Sequence, residues 1–210
     1  MASRLGERDK EYEMDKIVFD TPLCEMAYKY GSDKCPQLSH QYTPRYWKMF
    51  SERRNEIKKV LEIGVACPSV MVHSEYYITG ASLYMWRDFF PNAMIYGADI
   101  LPQCVFRDKR IQTFLCDQSK KEDLVNLIKQ TGQDINIVVD DGSHVPEHQI
   151  ISCLTLMPYL PKDVTYIIED VTDTKIFDII RASGWDVWYK QIHHKKGHCD
   201  RMCTVTYPKI

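Results

Sequence analysis

The alternation of short apolar runs with amphipathic stretches, which starts at Lys58, constrains the fold of this chain more than any other feature. Short apolar runs bounded by turn residues predict strands, and the amphipathic stretches between them predict helices. Strands that alternate with helices form a parallel sheet with right-handed crossovers. The pattern predicts a doubly wound, Rossmann-like α/β fold, with strands at residues 59–63, 94–98, 111–115, 135–139 and 164–168 and helices at residues 81–89, 123–130, 148–159 and 173–182.

The two ends of the chain depart from this alternation. Extended segments at residues 186–190 and 202–207 predict a C-terminal antiparallel hairpin at the edge of the sheet. Before Lys58 the apolar spacing is helical, and Thr43 followed by Pro44 favours a helix start. We therefore expect residues 1–57 to form a small N-terminal helical cap and residues 58–210 to form the core domain.

Composition and charge exclude several classes of function. The 27 basic and 29 acidic residues give a net charge of -2, so the positive field that binds nucleic acid is missing. No apolar run approaches the roughly 18 residues of a membrane span, and the first 20 residues lack the apolar core of a signal peptide. The eight cysteines are scattered in a manner typical of reduced thiols. We expect a cytoplasmic protein that binds neither nucleic acid nor membrane.

Acidic residues follow the first two predicted strands, where doubly wound sheets bind ligands. Glu62 and Gly64 end the first strand, although a strand with this ending by coincidence is an equally good explanation of that motif alone. Asp99 ends the second strand, 19 residues after Gly80, which matches the interval to a carboxylate that binds ribose. Because no Gly-x-Gly-x-x-Gly motif is present, a nucleoside cofactor without phosphates, such as S-adenosylmethionine, is favoured over a dinucleotide.

A third acidic site, Asp117-Gln118-Ser119, follows the strand at residues 111–115. Its carboxylate is suited to accept a hydrogen bond from an adenine amino group. Asp117 or Ser119 is equally suited to cap the next helix. The sequence leaves these two interpretations open.

The run Asp140-Asp141-Gly142-Ser143-His144 is the strongest local motif. Successive side chains of a strand point to opposite faces, so one aspartate can face the cofactor and the other the substrate. Histidine is the usual general base near neutral pH. A polar turn before a helix that starts at Pro146 is the competing explanation.

The next strand ends in Glu169 and Asp170, and the carboxyl ends of neighbouring parallel strands lie side by side. Together with Asp141, these carboxylates would repel one another unless a cation separated them. Oxygen ligands of this kind bind hard divalent ions such as Mg²⁺. The alternative is that Glu169 and Asp170 only solvate a strand end.

With these residues laid out, the chain resembles the metal-dependent, S-adenosylmethionine-dependent sugar O-methyltransferases of the macrolide-modifying type, and more distantly the cephalosporin hydroxylase family. The resemblance spans about residues 30–170. Its motifs are residues 30–34 with His40 and Tyr42, residues 61–65, residues 80–83 with Trp86, residues 90–93, residues 95–100, residues 117–119, residues 140–144 and residues 169–170.

The resemblance implies a class I methyltransferase fold and roles for several of these motifs. In that family the second aspartate of the Asp-Asp-Gly-Ser-His run and the later Glu-Asp pair bind Mg²⁺, with Mn²⁺ as an alternative, and the histidine is the base. These roles fall on Asp141, Glu169, Asp170 and His144. The resemblance further implies that S-adenosylmethionine is held by Glu62, Gly64, Ser82, Asp99, Ile100, Asp117, Gln118 and Asp140.

Two departures from the family limit what the resemblance implies. Residues 66–79 replace a short glycine loop and are suited to cover the acceptor, with Tyr76 and Tyr77 as contacts. The N-terminal region lacks the separate oligomerising domain of larger relatives. A homo-oligomer and a part of a larger glycan-modifying polypeptide therefore both remain open, and the sugar or glycan acceptor is not identified.

Three rival functions stand beside sugar methylation. A catechol-like or other small-metabolite diol would use the same metal chemistry. A non-catalytic nucleotide-binding module would bind the cofactor without methyl transfer. A hydroxylase is disfavoured because one histidine with three carboxylates is not the two-histidine, one-carboxylate iron triad. The histidines and Cys199 in residues 193–199 offer zinc ligands, but an exposed hairpin loop explains that run better.

Overall fold

The computed structural model describes residues 17–71, 77–193 and 199–209. A single eight-stranded sheet organises this part of the chain. The strands are β1 (Lys59–Ile63), β2 (Met94–Asp99), β3 (Arg107–Asp108), β4 (Ile111–Leu115), β5 (Ile137–Asp140), β6 (Thr165–Ile168), β7 (Asp186–His193) and β8 (Cys199–Thr206).

The strand order is β3-β4-β2-β1-β5-β6-β8-β7. Strands β4, β2, β1, β5 and β6 pair in parallel, whereas β8 pairs antiparallel with both β6 and β7. This order confirms the predicted doubly wound sheet and its C-terminal hairpin. The sequence pattern missed β3, a two-residue strand antiparallel to β4, because the pair Arg107 and Asp108 has neither apolar character nor alternation.

Six α-helices connect and flank the strands in the described part of the chain, together with two three-residue 3-10 helices at Pro102–Cys104 and Met157–Tyr159. The first begins at residues suited to capping: the Thr21 hydroxyl accepts a hydrogen bond from the Cys24 amide, and Pro22 occupies the first turn. The helices are α1 (Pro22–Tyr30), α2 (Thr43–Phe50), α3 (Ala81–Phe89), α4 (Lys121–Thr131), α5 (Pro146–Leu156) and α6 (Lys175–Ala182). Among the residues that the structure describes, no helix has the length and apolar character needed to cross a membrane.

Alternate residues of the central strands divide the core into two layers. Val60 of β1 belongs to the layer that includes residues of α1, α2 and α3, and Leu61 belongs to the layer that includes residues of α4, α5 and α6. Since α1 and α2 share a continuous core with the sheet, the N-terminal segment is packed as part of the same body. The boundary between residues 57 and 58 stays a prediction.

The turn after β1 lies unusually close to the turn after β5. Gly64 has a φ of 93°, and a Cβ atom at this position would lie 2.0 Å from the carbonyl oxygen of Asp141. Only glycine combines this backbone conformation with so close an approach. The contact brings the ends of two predicted site strands together.

We expect Gly64→Ala to destabilise the fold far more than Gly184→Ala. Gly184 has a similar φ of 95°, but no heavy atom lies within 4 Å of the position that a Cβ atom would take there. The control substitution should therefore cost only the backbone strain, about 1–2 kcal/mol, whereas the Gly64 substitution adds a collision with backbone. Urea unfolding of both variants measures the difference, and equal losses would contradict the close contact.

Candidate active site

The parallel register brings the carboxyl ends of four strands to one edge of the sheet. Ile63 of β1 pairs with Ala98 of β2 and with Asp140 of β5, and Asp140 pairs with Ile168 of β6. The predicted adjacency of β5 and β6 is therefore confirmed. Two cavities open at this edge, of about 410 Å³ and 200 Å³, and both are bordered by Gly64, Asp141 and Gly142.

The larger cavity contains five of the eight residues predicted to hold the cofactor: Gly64, Asp99, Ile100, Asp117 and Gln118. Apolar side chains of the strand ends supply much of the remaining wall, and its volume is within the usual range for small-molecule sites. A mostly apolar wall with a few carboxylate and amide groups is suited to a nucleoside.

Asp99 fixes the backbone around the larger cavity. One carboxylate oxygen accepts hydrogen bonds from the amides of Val65 and Ala66 at 2.9 and 3.0 Å, and the other accepts from the amide of Leu101 at 2.9 Å. The turns that follow β1 and β2 are thereby tied together beside the cavity.

Asp117 and Gln118 form the far side of the same cavity. Asp117 accepts hydrogen bonds from the Ser119 amide and hydroxyl at 3.0 and 2.6 Å, so it does stabilise a turn before α4. Gln118 donates to Asp140 at 3.0 Å and accepts from the Ser143 amide at 2.6 Å. The buried Gln118 amide therefore braces the turn that carries Asp141 and His144.

The smaller cavity contains three side chains able to share one cation. Ligand atoms of Asp141, His144 and Asp170 all lie within 4.8 Å of one another. Nε2 of His144 lies 3.1 Å from Oδ1 of Asp141 and 3.6 Å from Oδ2 of Asp170. Two carboxylates and a ring nitrogen at this separation fit a divalent ion such as Mg²⁺ or Mn²⁺.

Glu169 borders the same cavity, and both of its carboxylate oxygens accept hydrogen bonds. Its side chain is fully buried, with Oε2 hydrogen-bonded by the Lys34 ammonium and Oε1 by the Tyr46 hydroxyl. Its predicted role as a metal ligand stays a prediction.

Three predicted cofactor residues lie away from the larger cavity. Ser82 borders the smaller cavity instead. Glu62 and Asp140 are completely buried: Glu62 accepts a hydrogen bond from Nε1 of Trp86 at 3.0 Å, and Asp140 accepts from Gln118 and Tyr166. Strand alternation turns Asp140 toward α5 and leaves Asp141 at the cavities. The roles of Glu62 and Asp140 in cofactor binding stay predictions.

Sequence reasoning gave no role to three residues of the N-terminal segment that complete the site. The Lys34 ammonium contacts Glu62, Asp141 and Glu169. Tyr42 donates to Oδ1 of Asp170 at 2.7 Å and accepts from the Asp170 amide at 3.2 Å, while Tyr46 donates to Glu169. The sequence offered one indication of such residues, the cluster of predicted carboxylates at one edge of the sheet. Buried carboxylates need compensating cations or hydrogen-bond donors, and other parts of the chain can supply them.

Burial and ion pairing shift the pKa values of the site in opposite directions. Burial raises the pKa of Glu62 to about 7, despite the nearby Lys34. Burial also opposes ionisation of Asp141, but Lys34 and His144 together hold its pKa below the ordinary value. The hydrogen bond to Asp141 raises the pKa of His144. The site therefore favours an ionised Asp141 beside a histidine of increased basicity.

Strained backbone borders the smaller cavity. Ala66, His144 and Asp170 have φ values of 55°, 57° and 48°, in the left-handed region that non-glycine residues rarely adopt. Such strain persists where the surrounding structure imposes it, and it is common at functional sites. Tyr77 also borders this cavity, with its hydroxyl bonded to the Val65 carbonyl, whereas Tyr76 and most of residues 193–199 lie outside the described residues.

Comparisons with known proteins identify the family of this chain. No protein-family model matches the chain. The mycinamicin VI 2''-O-methyltransferase of Micromonospora griseorubida is 38% identical over 149 residues, which are 71% of this chain and 36% of that protein. The 8-demethyl-8-alpha-L-rhamnosyl tetracenomycin-C 2'-O-methyltransferase of Streptomyces olivaceus is 35% identical over 153 residues, 72% of this chain and 38% of that protein.

A solved structure extends the match in three dimensions. The MycE methyltransferase from the mycinamycin biosynthetic pathway, in complex with Mg, SAH and mycinamycin VI, superposes with a TM-score of 0.72 and 26% identity. The match covers 90% of this chain and 54% of that one. The chain spans a little over one third of the length of its curated relatives. Over the matched residues, the chain belongs to the family of macrolide and tetracenomycin sugar O-methyltransferases, as its motifs predicted.

Proposed function

We propose that this chain transfers a methyl group from S-adenosylmethionine to a sugar hydroxyl, with a divalent metal at the smaller cavity and His144 as the general base. The observation that carries the proposal is the shared border of the two cavities at Gly64, Asp141 and Gly142. A methyl donor in one cavity and an acceptor in the other would meet at this border. The relatives named for methylation of antibiotic sugars support a sugar unit as the acceptor.

The larger cavity is the proposed cofactor site. Gly64, Asp99, Ile100, Asp117 and Gln118 border it directly. Glu62, Ser82 and Asp140 complete the proposed set from outside the cavity, since the buried Glu62 and Asp140 contact residues that hold its walls. The solved relative in complex with SAH supports this assignment.

The smaller cavity is the proposed metal and acceptor site, with Asp141, Glu169 and Asp170 as metal ligands. Mg²⁺ is the first choice, because the solved relative contains Mg, and Mn²⁺ prefers similar ligands. A bound divalent ion lowers the pKa of a coordinated hydroxyl and so increases its nucleophilicity.

His144 is placed to remove the acceptor proton. Its Nε2 faces Asp141 and Asp170, and its hydrogen bond with Asp141 orients the ring and increases its basicity. In the proposed reaction, the acceptor hydroxyl replaces Asp141 as the hydrogen-bond partner of Nε2. As the proton passes to this nitrogen, the acceptor oxygen forms a bond to the methyl carbon while the bond from that carbon to sulfur breaks. The products are the methyl ether and S-adenosylhomocysteine, with the proton left on His144.

The cysteines bear on the compartment of the protein, and the coverage of its relatives bears on its assembly. Seven of the eight cysteines are buried free thiols, which supports the proposed cytoplasmic location. Because the chain covers little more than a third of its curated relatives, a homo-oligomer or a larger glycan-modifying assembly remains part of the proposal.

Methyl transfer by His144→Ala should fall about 10²–10⁴-fold, the usual contribution of a general base. Binding of S-adenosylmethionine should be retained, because His144 does not border the larger cavity. Mass spectrometry of a panel of mono- and oligosaccharide acceptors measures turnover, and calorimetry measures cofactor affinity. Full activity of the variant would rule out the role assigned to His144.

Chelation of divalent metal should abolish methyl transfer, and Mg²⁺ or Mn²⁺ should restore it.

Asp170→Asn should raise the metal concentration needed for half-maximal rate by more than about tenfold. That is roughly the effect of losing a residue that only hydrogen-bonds to a metal ligand. Asp178→Asn, on an exposed residue of α6, is the matched control and should leave the metal requirement unchanged. Transfer to catechols but not to sugars would favour the small-diol alternative, and cofactor binding without any transfer would favour a non-catalytic module.

A further inference from the structure

Lys34 is a buried cation at the edge of the sheet, and its backbone is fixed as firmly as its side chain. It follows α1, and its carbonyl accepts hydrogen bonds from the amides of Tyr42 and Thr43 at 3.1 and 3.0 Å. Its side chain is 3% exposed. A long, flexible side chain loses considerable entropy when it is held in this way, so its placement requires strong interactions.

Those interactions are with carboxylates of three different strand ends. The Lys34 ammonium hydrogen-bonds Oδ2 of Asp141 and Oε2 of Glu169, and lies 3.2 Å from Oε1 of Glu62. Glu62 belongs to β1, whereas Asp141 and Glu169 follow β5 and β6. One ammonium group thus connects the three central strands of the site.

The two oxygens of Asp141 have different partners. Oδ2 is held by Lys34, and Oδ1 lies 3.1 Å from His144 on the side of the smaller cavity. Because Lys34 holds Oδ2, it fixes the rotation of the Asp141 carboxylate. It thereby directs Oδ1 toward the smaller cavity, where Asp141 would share a metal with Asp170.

We propose that Lys34 is a positioning residue that orients Asp141 and Glu169 for metal binding. The inference rests on the proposed function, because it concerns the metal assigned to the smaller cavity. Partners that hydrogen-bond to metal ligands commonly set ligand orientation, and their loss typically weakens metal binding 10–100-fold. Lys34 would be such a partner for two ligands at once.

A role as a simple counter-charge predicts the opposite result. The ammonium repels a nearby divalent ion, so a substitution that only removed its charge would tighten metal binding. A substitution that released the orientation of Asp141 and Glu169 would weaken it. The sign of the change in metal affinity therefore distinguishes positioning from charge compensation.

The experiment is a titration of the whole chain with Mn²⁺, followed by electron paramagnetic resonance, in the unaltered protein and in Lys34→Met. Methionine keeps an unbranched side chain without the charge. We expect the Mn²⁺ dissociation constant to increase about 10–100-fold. An unchanged or smaller dissociation constant in Lys34→Met would overturn the inference.

A second variant covers the case in which Lys34→Met leaves too many buried carboxylates uncompensated to fold. The double variant Lys34→Met with Glu62→Gln removes the buried ammonium together with one of the three carboxyl groups that it contacts, so fewer acidic groups are left without a partner. Positioning predicts that Mn²⁺ binding stays weak in this protein. Restoration of the original affinity would show that Lys34 acts only through its charge.

Lys59→Met is the matched control. Lys59, at the opposite end of β1, donates to Asp134 at 2.6 Å and to the Thr131 carbonyl at 2.9 Å. Its loss also removes one positive charge and an ion pair, but the Mn²⁺ dissociation constant should not change.

If the unaltered protein binds no Mn²⁺, the metal assignment itself fails, and the inference fails with it. Binding by the unaltered protein with unchanged affinity in Lys34→Met overturns the inference alone.

Discussion

The parallel pairing of β5 with β1 on one side and with β6 on the other is the constraint on which the site depends. It sets Ile63, Asp140 and Ile168 in one row, so the residues that follow them open at the same edge. The turn after β1 can then pass against the Asp141 peptide, which requires glycine at residue 64. Both cavities share this contact, so backbone geometry holds the proposed cofactor and acceptor sites together.

The meeting of these strand ends concentrates acidic side chains at one edge of the sheet. The N-terminal segment supplies the groups that compensate their negative charge. Burying unpaired carboxylates is costly, and each must find a cation or a hydrogen-bond donor. Lys34 pairs with three of them, while Tyr42 and Tyr46 donate to Asp170 and Glu169. The segment predicted as a cap is therefore structurally part of the candidate active site, and it shares its apolar core with the sheet.

The sequence predicted features whose causes are local. The five parallel strands and the C-terminal hairpin follow from apolar periodicity, and acidic residues at strand ends indicate the ligand-binding edge because topology brings those ends together. The contacts of Lys34 with Asp141 and Glu169 span 107 and 135 positions, and no local pattern encodes such partners. Similarly, alternation placed Asp140 and Asp141 on opposite faces, but only packing shows that Asp140 faces Gln118 and Tyr166.

His144 and Asp170 have a strained left-handed backbone that the rigid strand ends beside them support. Each residue lies just beyond a buried strand, where the neighbouring peptide groups are already fixed: the Asp141 amide donates to Ile63 and the Glu169 amide to Asp140. Tyr42 then fixes Asp170 and Asp141 fixes His144. Because these hydrogen bonds hold the side chains of His144 and Asp170, the sheet can maintain an unfavourable local backbone conformation that brings a histidine and two carboxylates into one cavity.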